Sequence, residues 1–237
     1  MKKSVLADNN HITEKTKKEL VKAATKLFAQ KGYSGTTTRE LAAAFGKSKG
    51  GLYHYVESKK QICNFVIDFT INDLEKSLAK IEEVPPDSSA KEALIKAISS
   101  YSKAIYELQD MQIFIEHVVM DISRKERRVL YDAGRKTMSH FEALLNNGIE
   151  KGEFKIGDVK LIAYMITLLV TGWPNRRWFL SRQYTFDEYV QKVTSSVLKL
   201  VGASNIDIDE INTYPQTEEV WKCVSIANSG EKEKHGI

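Results

Sequence analysis

The sequence predicts an all-α fold, with a small N-terminal group of three helices ahead of a larger C-terminal helical bundle. Apolar residues recur with a helical period over nearly the whole chain, while the alternation typical of β-strands is confined to short pieces. Ser or Thr followed three residues later by Glu or Gln, a helix-start signal, precedes several of these apolar runs. The 237 residues are enough to bury a sizeable core.

The first helix is expected from about Thr13 to Lys31. Thr13 or Thr16 can cap its N-terminus, and Gly32 ends it, because glycine adopts the left-handed conformation at little cost. Its apolar stripe consists of Leu20, Ala24, Leu27 and Phe28.

Two short helices and a long one follow. Thr37 and Glu40 form a capping box that opens the second helix, which Gly46 ends after barely two turns. The third runs from Ser48 through Tyr55. Ser58 and Gln61 form a further capping box, which opens a long fourth helix.

Pro85 and Pro86 make the clearest break in the chain, because proline cannot continue a helix. Pro174 lies inside a later helix and is expected to kink it. The helices after the break are expected near residues 89–108, 110–122, 126–151, 158–180 and 185–201.

Three regions are therefore expected: an N-terminal domain at 10–58, a helical domain at 59–201 and an extension at 202–237. The extension loses helical periodicity, yet it is too apolar for a plain linker, so one added helix is expected near 216–227. About the last eight residues are expected to be disordered.

The composition points to an ordinary intracellular protein, expected in the cytoplasm. Cys63 and Cys223 are far apart and form no CxxC pair, which argues against a disulfide framework or a thiolate zinc site. An acidic residue at position 8 precedes any signal-peptide core. The longest apolar stretch, 162–173, is too short to span a bilayer, so no membrane partner is expected.

The net charge of +4 is unevenly distributed. Residues 1–60 hold 13 Lys and Arg against 5 Asp and Glu, while the rest of the chain holds 22 against 26. A basic N-terminal domain on a mildly acidic body indicates that the domain meets a polyanion. A basic helix face that only contacts solvent is the alternative.

The second and third helices, joined by 45–48, have the proportions of a helix-turn-helix, whose second helix enters the major groove of DNA. Segment 48–55 has Leu52 as its only clear core anchor. Its other positions are small, basic or hydrogen-bonding. Gly50 and Gly51 each cost about 1 kcal/mol in a helix relative to Ala, which favours a backbone that must approach another surface closely.

At these residues the sequence resembles the TetR family of bacterial transcriptional regulators. The resemblance covers about fifty residues and rests on three segments: TTTRELA at 36–42, GKSKGGLYHY at 46–55 and SKKQI at 58–62. Val56 stands where the family usually has Phe, which changes packing only. Gly51 stands where other members of the family often have a residue with a hydroxyl group. The DNA sequence that those members prefer therefore cannot be assigned to this protein.

The resemblance implies a set of DNA-binding residues. Arg39, Lys49 and His54 are candidates for base edges, because Arg and Lys donate to guanine and His can donate or accept. The remaining candidates for phosphate contact or close backbone approach are Thr37, Thr38, Ser48, Gly50, Tyr53, Tyr55 and Lys60. Tyr55 half-buried against the first helix is an open alternative, and Lys59 is expected to be a solvated charge. The contribution of Lys15, Lys17, Lys18 and Lys22 is expected to be a general positive field.

The resemblance also implies that the C-terminal helices bind a small molecule and form a homodimer through the last two long helices. Two apolar stripes fit such a dimer, although an internal core explains either stripe alone. They comprise Ile162, Met165, Ile166, Leu169 and Trp173, followed by Tyr189, Val193, Val197 and Leu200.

The body is similar, more loosely, to a branch of the family that responds to coenzyme A thioesters of fatty acids or related intermediates. Apolar helix faces would hold an acyl chain, and Arg124, Arg127, Arg128, Arg176 and Arg177 would pair with phosphates. These arginines also fit a plain surface or a dimer contact. The expected ligand-binding residues are Phe114, His117, Val118, Asp121, Tyr131, Trp173, Arg176, Arg177 and Trp178.

No cofactor, metal or enzymatic activity is expected. His117 and Asp121 have the spacing of a chelate, but no second pair accompanies them, so an ordinary hydrogen-bonded His is favoured. None of the common catalytic motifs is present. The sequence therefore predicts a ligand-released repressor that binds a palindromic double-stranded operator as a homodimer. A helical sensor that does not bind DNA, or an activator of the same fold, is the alternative.

Overall fold

The computed structural model describes residues 12–79, 88–119 and 121–203, which form nine helices and no strand. The expected break at Pro85 and the expected helix at 216–227 lie outside these residues. The helices are α1 (Glu14–Gly35), α2 (Thr38–Ala44), α3 (Lys49–Tyr53), α4 (Lys59–Ala79), α5 (Ala90–Glu107), α6 (Gln109–Val118), α7 (Arg124–Glu150), α8 (Val159–Leu180) and α9 (Phe186–Leu200).

Most helices begin where the sequence predicts, because local capping signals fix their starts. The capping boxes of Thr37 with Glu40 and of Thr185 with Glu188 are both present. At the start of α4 only half of the expected capping box is present. Gln61 accepts from the backbone N–H of Glu57, at 2.7 Å, while Ser58 accepts from Gln61 N–H at 3.2 Å.

Helix ends differ more from the prediction. Gly32 has the expected positive φ of 71°, but the chain resumes helical turns to Gly35. The expected helices at 48–55 and 110–122 are shorter, ending at Tyr53 and Val118. By contrast α7 begins at Arg124, two residues early, because Ser123 forms a capping box with Glu126.

The N-terminal domain and the body meet in a shared hydrophobic cluster. It joins α1–α3 to the first half of α4 and to α6, with Phe28 stacked on Phe114 at 5.0 Å between ring centroids. The expected division at residue 58 remains a prediction, since Ile62 and Val66 of α4 are fully buried in the same cluster.

Lys59 is not the solvated charge that the sequence predicts. Its ammonium donates to the carbonyl oxygens of Tyr33 and Thr36, each at 2.9 Å, and lies 4.3 Å from the centre of the Tyr33 ring. These carbonyls belong to the last turn of α1, where an α-helix leaves acceptors unpaired. Lys59 therefore ties the end of α1 to the start of α4.

We expect Lys59→Met, which keeps the aliphatic stem, to lower the free energy of unfolding by about 1–3 kcal/mol, because two charge-assisted hydrogen bonds are lost. Chemical denaturation measures the change. Lys18→Met, at an exposed position of α1, is the control and should leave stability nearly unchanged. Equal stability of the two variants would contradict the role of Lys59.

The body core is formed by α5, α7, α8 and α9. The 151–158 connection contributes Phe154, which is buried beneath α7, and Glu153, whose carboxylate accepts from the N–H groups of Ala90 and Lys91 at 3.0 and 3.1 Å. Glu153 thus caps α5 from 62 residues away along the chain.

The expected kink in α8 is confirmed. Pro174 lies inside the helix and Arg176 leaves helical geometry, with φ −123° and ψ 17°. Proline has no N–H to donate to the carbonyl of Val170, and the side-chain amide of Asn175 donates to the carbonyl of Thr171 at 3.2 Å. The last turn of α8 is therefore redirected relative to the rest of the helix.

Within the described ranges, none of the helices combines the length and the apolar character needed to cross a bilayer.

Candidate nucleic-acid interface and effector cavity

The helix-turn-helix exposes one face of α2 and α3 and buries the other. Leu41 and Ala42 of α2 and Leu52 of α3 are buried in the cluster that includes α1 and α4, which anchors the two short helices. The ten candidate DNA-binding residues are all exposed or partly exposed. The fold therefore leaves each of the ten side chains or backbone positions accessible.

The start of α2 is held by a network around Glu40. Its carboxylate accepts from the backbone N–H of Thr37 at 2.8 Å and from the ammonium of Lys31 at 2.5 Å. The Lys31 hydrogen bond, followed by those from Thr37, lowers the pKa of Glu40 to about 2. Its contribution to stability is therefore present above the unfolded-state pKa and is lost only as the pH falls towards 2.

Thr38 and Arg39 lie in the first turn of α2, where backbone N–H groups have no intrahelical acceptor. The hydroxyl of Thr37 is already engaged with Glu40 at 2.8 Å. Of the first three candidates, the backbone N–H of Thr38 and the guanidinium of Arg39 are thus better placed than Thr37 to meet a phosphate or a base.

Ser48 starts α3, and its hydroxyl accepts from the N–H of Gly51 at 3.0 Å. Gly50 is exposed, and a side chain there would meet nothing within the protein. Lys49 and His54 are exposed, as is Tyr53 at 43%. This short helix therefore offers basic and hydrogen-bonding groups beside bare backbone.

Tyr55 is partly buried against the hydrophobic cluster that includes α1. Its ring packs edge-on against Phe45 at the end of α2, at 5.6 Å between centroids. The ring of Tyr55 is therefore half-buried, as in the alternative that the sequence left open. Only its phenolic hydroxyl can reach outwards.

Lys60, expected to hold a phosphate, lies 3.5 Å from Glu126 at the start of α7. Burial of Glu126 raises its pKa, but hydrogen bonds from Ser123 and the charge of Lys60 outweigh this effect, and the pKa is lowered overall. Nearby, the hydroxyl of Ser34 donates to Asp121 at 2.9 Å. Two polar links thus join the DNA-binding face to the body.

The expected ligand-binding residues do not form one site. Phe114 and Val118 are fully buried in the cluster between the N-terminal domain and the body, and Asp121 is engaged with Ser34. Four others have exposed side chains on α6, α7 and α8: His117, Tyr131, Arg176 and Trp178. The expectation that His117 lies in a core or pocket is therefore wrong.

Two residues of this set, Trp173 and Arg177, line a cavity with a volume of about 440 Å³. It lies between the kinked end of α8, the 181–185 turn and the start of α9, with Tyr106 of α5 completing the wall. Phe186 stacks beside Tyr106 at 4.3 Å between centroids.

Sequence reasoning missed Tyr106, Arg182 and Phe186 in this cavity. These residues are contributed by α5, by the turn after α8 and by α9, and they come together only because α8 bends. The Pro174 kink was the one sequence signal that pointed to an irregular site here.

Comparison with known proteins gives the N-terminal domain a family. Residues 20–64 match the family model described as "Bacterial regulatory proteins, tetR family". The matched region begins within α1, includes α2 and α3, and ends in the first turns of α4.

The similarity extends over most of the chain. The HTH-type transcriptional repressor KstR2 of Rhodococcus jostii strain RHA1 is 27% identical over 186 residues, covering 76% of this chain and 88% of that protein. A crystallised regulatory protein in the tetR family from Rhodococcus RHA1 is 25% identical, with a TM-score of 0.71, covering 81% of this chain and all of the other.

A third relative, AibR, was crystallised in complex with isovaleryl coenzyme A and operator DNA. It is 19% identical, with a TM-score of 0.67, and the match covers 79% of this chain and 99% of AibR. At this identity the likeness shows a common fold. These relatives are named as regulators or repressors rather than enzymes, and the all-helical fold with its helix-turn-helix agrees with them. Residues 20–64 therefore carry the N-terminal domain of the tetR family of bacterial regulatory proteins, and the chain as a whole is similar in sequence and fold to transcriptional regulators that contain this domain.

Proposed function

We propose that this protein is a homodimeric transcriptional repressor that binds a palindromic operator and is released by a small effector bound in its helical body. The observation that carries the proposal is the exposed face of α2 and α3, where Arg39, Lys49 and Tyr53 surround bare backbone at Gly50. In this proposal residues 10–58 read DNA, and residues 59–201 bind the effector and the second subunit.

The DNA-binding step assigns distinct roles along this face. Lys49 and Arg39 donate to base edges, while the N–H groups of Thr38 and the hydroxyl of Tyr53 hold phosphates. Gly50 lets the α3 backbone lie close to the duplex, because any side chain there would project outwards.

The Lys49→Ala, Tyr53→Ala double variant tests these roles. We expect its operator affinity to fall by about 100-fold or more, because two contacts of about 1–3 kcal/mol each are lost. Both side chains are exposed, so the melting temperature should barely change. Fluorescence anisotropy on a labelled duplex from upstream of the gene measures the affinity.

A matched pair on the body, Lys103→Ala with Tyr131→Ala, is the control, since both side chains are exposed and lie outside α1–α4. This control should bind the duplex as the parent protein does. Unaltered affinity of the Lys49 and Tyr53 variant would overturn the assignment of α3 as the recognition helix.

The homodimer is supported by an exposed apolar stripe on α8. Leu161, Tyr164 and Leu168 follow one another at helical spacing, and each is half-exposed or more, at 50–54%. Of the stripes expected from the sequence, Ile166, Trp173, Val193 and Val197 are buried within the protomer, whereas Leu200 is 48% exposed. A second subunit covering the outer stripe would bury this apolar surface and pair two recognition helices about one helical turn of DNA apart.

For the effector, we take the class from the looser resemblance of the body: a coenzyme A thioester with a small apolar acyl group. The AibR complex with isovaleryl coenzyme A is an example of this class on the same fold. Release requires that the effector and the operator favour different conformations of the dimer. The link of Ser34 to Asp121 joins the two parts that must move, and Lys60, a candidate DNA contact at the start of α4, is tied to Glu126 of α7.

The same anisotropy assay, titrated with short, medium and branched acyl coenzyme A thioesters, tests this step. We expect at least one thioester to dissociate the protein from its operator. DNA binding that is unaffected by every thioester would overturn the effector class and leave the DNA-binding role intact.

A further inference from the structure

We infer that the cavity between α8 and α9 binds the acyl end of the effector, an apolar group that carries a carbonyl or carboxylate. The inference rests on the proposed function, because it names the site and the ligand chemistry of the same effector. It draws on the shape, the walls and the charges of this cavity.

The shape follows from the irregular end of α8. Pro174 supplies no backbone N–H, and Arg176 leaves helical geometry, so the last turn of α8 is directed away from the line of the helix. The 181–185 turn then leads into α9, which Thr185 and Glu188 start with a capping box. A volume of about 440 Å³ remains between these segments.

The walls are aromatic. Phe186 lies 4.3 Å from Tyr106 and 5.5 Å from Trp173 between ring centroids, and Tyr189 lies 5.2 Å from Trp173. Tyr189 does not line the cavity but packs on Trp173, and its hydroxyl donates to the carbonyl of Leu169 at 2.6 Å. Aromatic walls favour an apolar or aromatic occupant.

One wall also carries an unused hydrogen-bond donor. The side chain of Trp173 is 3% exposed, and its indole N–H is shielded from solvent and has no acceptor among the described residues. A buried donor without a partner is unfavourable, so a ligand oxygen that reaches it contributes a hydrogen bond that no water supplies. In this proposal the Trp173 side chain shifts on binding and offers its N–H to a carbonyl or carboxylate oxygen of the ligand.

The charges at the cavity favour an anion. Arg177 and Arg182 line it, and neither lies within 4 Å of a carboxylate in the part of the chain that the structure describes. Arg177 donates to the neutral amide of Gln109 at 3.0 Å. Glu188, the lining carboxylate, accepts from the N–H and the hydroxyl of Thr185 at 2.7 and 2.9 Å. The arginines are therefore available to a negatively charged ligand.

The volume limits what enters. It falls in the lower half of the range of about 300–1,000 Å³ that holds drug-sized ligands. A whole coenzyme A thioester exceeds this space, whereas its acyl end fits and leaves the nucleotide outside. A free carboxylic acid presents the same chemistry, so the two sources must be separated by experiment.

Isothermal titration calorimetry of the full chain without DNA tests the inference. The probes are octanoate and phenylacetate, the coenzyme A thioesters of the same two acids, and coenzyme A alone. We expect at least one acid or thioester to bind, and coenzyme A alone to bind much more weakly than the thioesters. Binding of the acids points to a free carboxylate as the source, and binding of the thioesters alone points to coenzyme A.

Two pairs of variants locate the binding. Trp173→Phe keeps the aromatic wall but removes the N–H, and Arg177→Gln removes the charge; each should weaken binding about tenfold. Trp178→Phe and Arg176→Gln make the same changes at exposed positions outside the cavity and should bind as the parent does. Far-ultraviolet circular dichroism and melting temperatures verify that all four variants are folded.

A spectroscopic readout comes from the variant Trp178→Phe, Trp221→Phe, which leaves Trp173 as the only tryptophan. Its emission should change on ligand binding, because the ligand meets the indole. Failure of all five probes to bind, coenzyme A binding as tightly as its thioesters, or equal binding by Trp173→Phe and Trp178→Phe would each overturn the inference.

Failure of this inference and failure of the proposed function are distinguishable. If thioesters release the operator equally well from the parent and from Trp173→Phe, the repressor remains and the cavity assignment is wrong. If a probe binds at Trp173 and leaves operator affinity unchanged, the cavity assignment stands and release by this effector is wrong.

Discussion

Leu168→Glu is expected to convert the protein from a dimer to a monomer of 26.9 kDa and to lower operator affinity by about 100-fold or more. Leu168 is 54% exposed at the middle of the α8 stripe, next to Leu161 and Tyr164. A two-fold axis would bring two new carboxylates into one apolar contact, and burying unpaired charge is costly. A monomer offers one recognition helix, so half of the DNA contacts are lost.

Light scattering coupled to size-exclusion chromatography measures the mass, and anisotropy measures the affinity. Ile149→Glu on α7 is the control, because Ile149 is an exposed aliphatic residue, 38% accessible, on a different helix from the stripe. That variant should remain dimeric. A dimeric Leu168→Glu protein with full operator affinity would exclude this face as the subunit interface.

Gly148→Ala is expected to lower the free energy of unfolding by about 1–3 kcal/mol, through overpacking of the body core. A Cβ at position 148 would overlap the ring of Phe154, which is 5% exposed and packed in the core. Moving Phe154 also disturbs Glu153, whose carboxylate caps α5. For a chain of this size, each 1 kcal/mol corresponds to about 2–4 °C in melting temperature.

Gly134→Ala in the same helix makes a matched comparison with the opposite expected sign. Nothing in the protein lies within 4 Å of a Cβ at Gly134, so Ala should stabilise α7 by about 0.5–1 kcal/mol. Thermal and chemical denaturation of the two variants measures whether each substitution raises or lowers the free energy of unfolding. A Gly148→Ala protein as stable as Gly134→Ala would show that the 151–158 connection does not pack on α7 as described.

The candidate DNA-binding face was largely predictable from sequence, because its geometry is local. Thr37, Glu40 and Ser48 set helix starts through partners three residues away, and Leu41 and Leu52 anchor the short helices. Exposure of Lys49 and Gly50 follows from that spacing. The sequence left open whether Tyr55 packs within the protein or contacts DNA. The contact of its ring with Phe45 depends on how α2 and α3 cross.

The effector cavity was not predictable in the same way. Of nine expected ligand-binding residues, Trp173 and Arg177 line it, while Phe114 and Val118 fill the core between the N-terminal domain and the body. Helical periodicity shows that a face is apolar but does not say which helix covers it. The sequence therefore placed apolar residues of α6 and α8 in one pocket, although they pack into different clusters.

The sequence by itself determined that the chain is helical, where most of its helices begin, and that a basic helix-turn-helix precedes the body, because capping, periodicity and charge act over a few residues. Tertiary structure alone decided that Lys59 closes α1, that Glu153 caps α5 and that Leu161, Tyr164 and Leu168 remain exposed. These features join or separate residues far apart in the chain, so they depend on how complete helices pack.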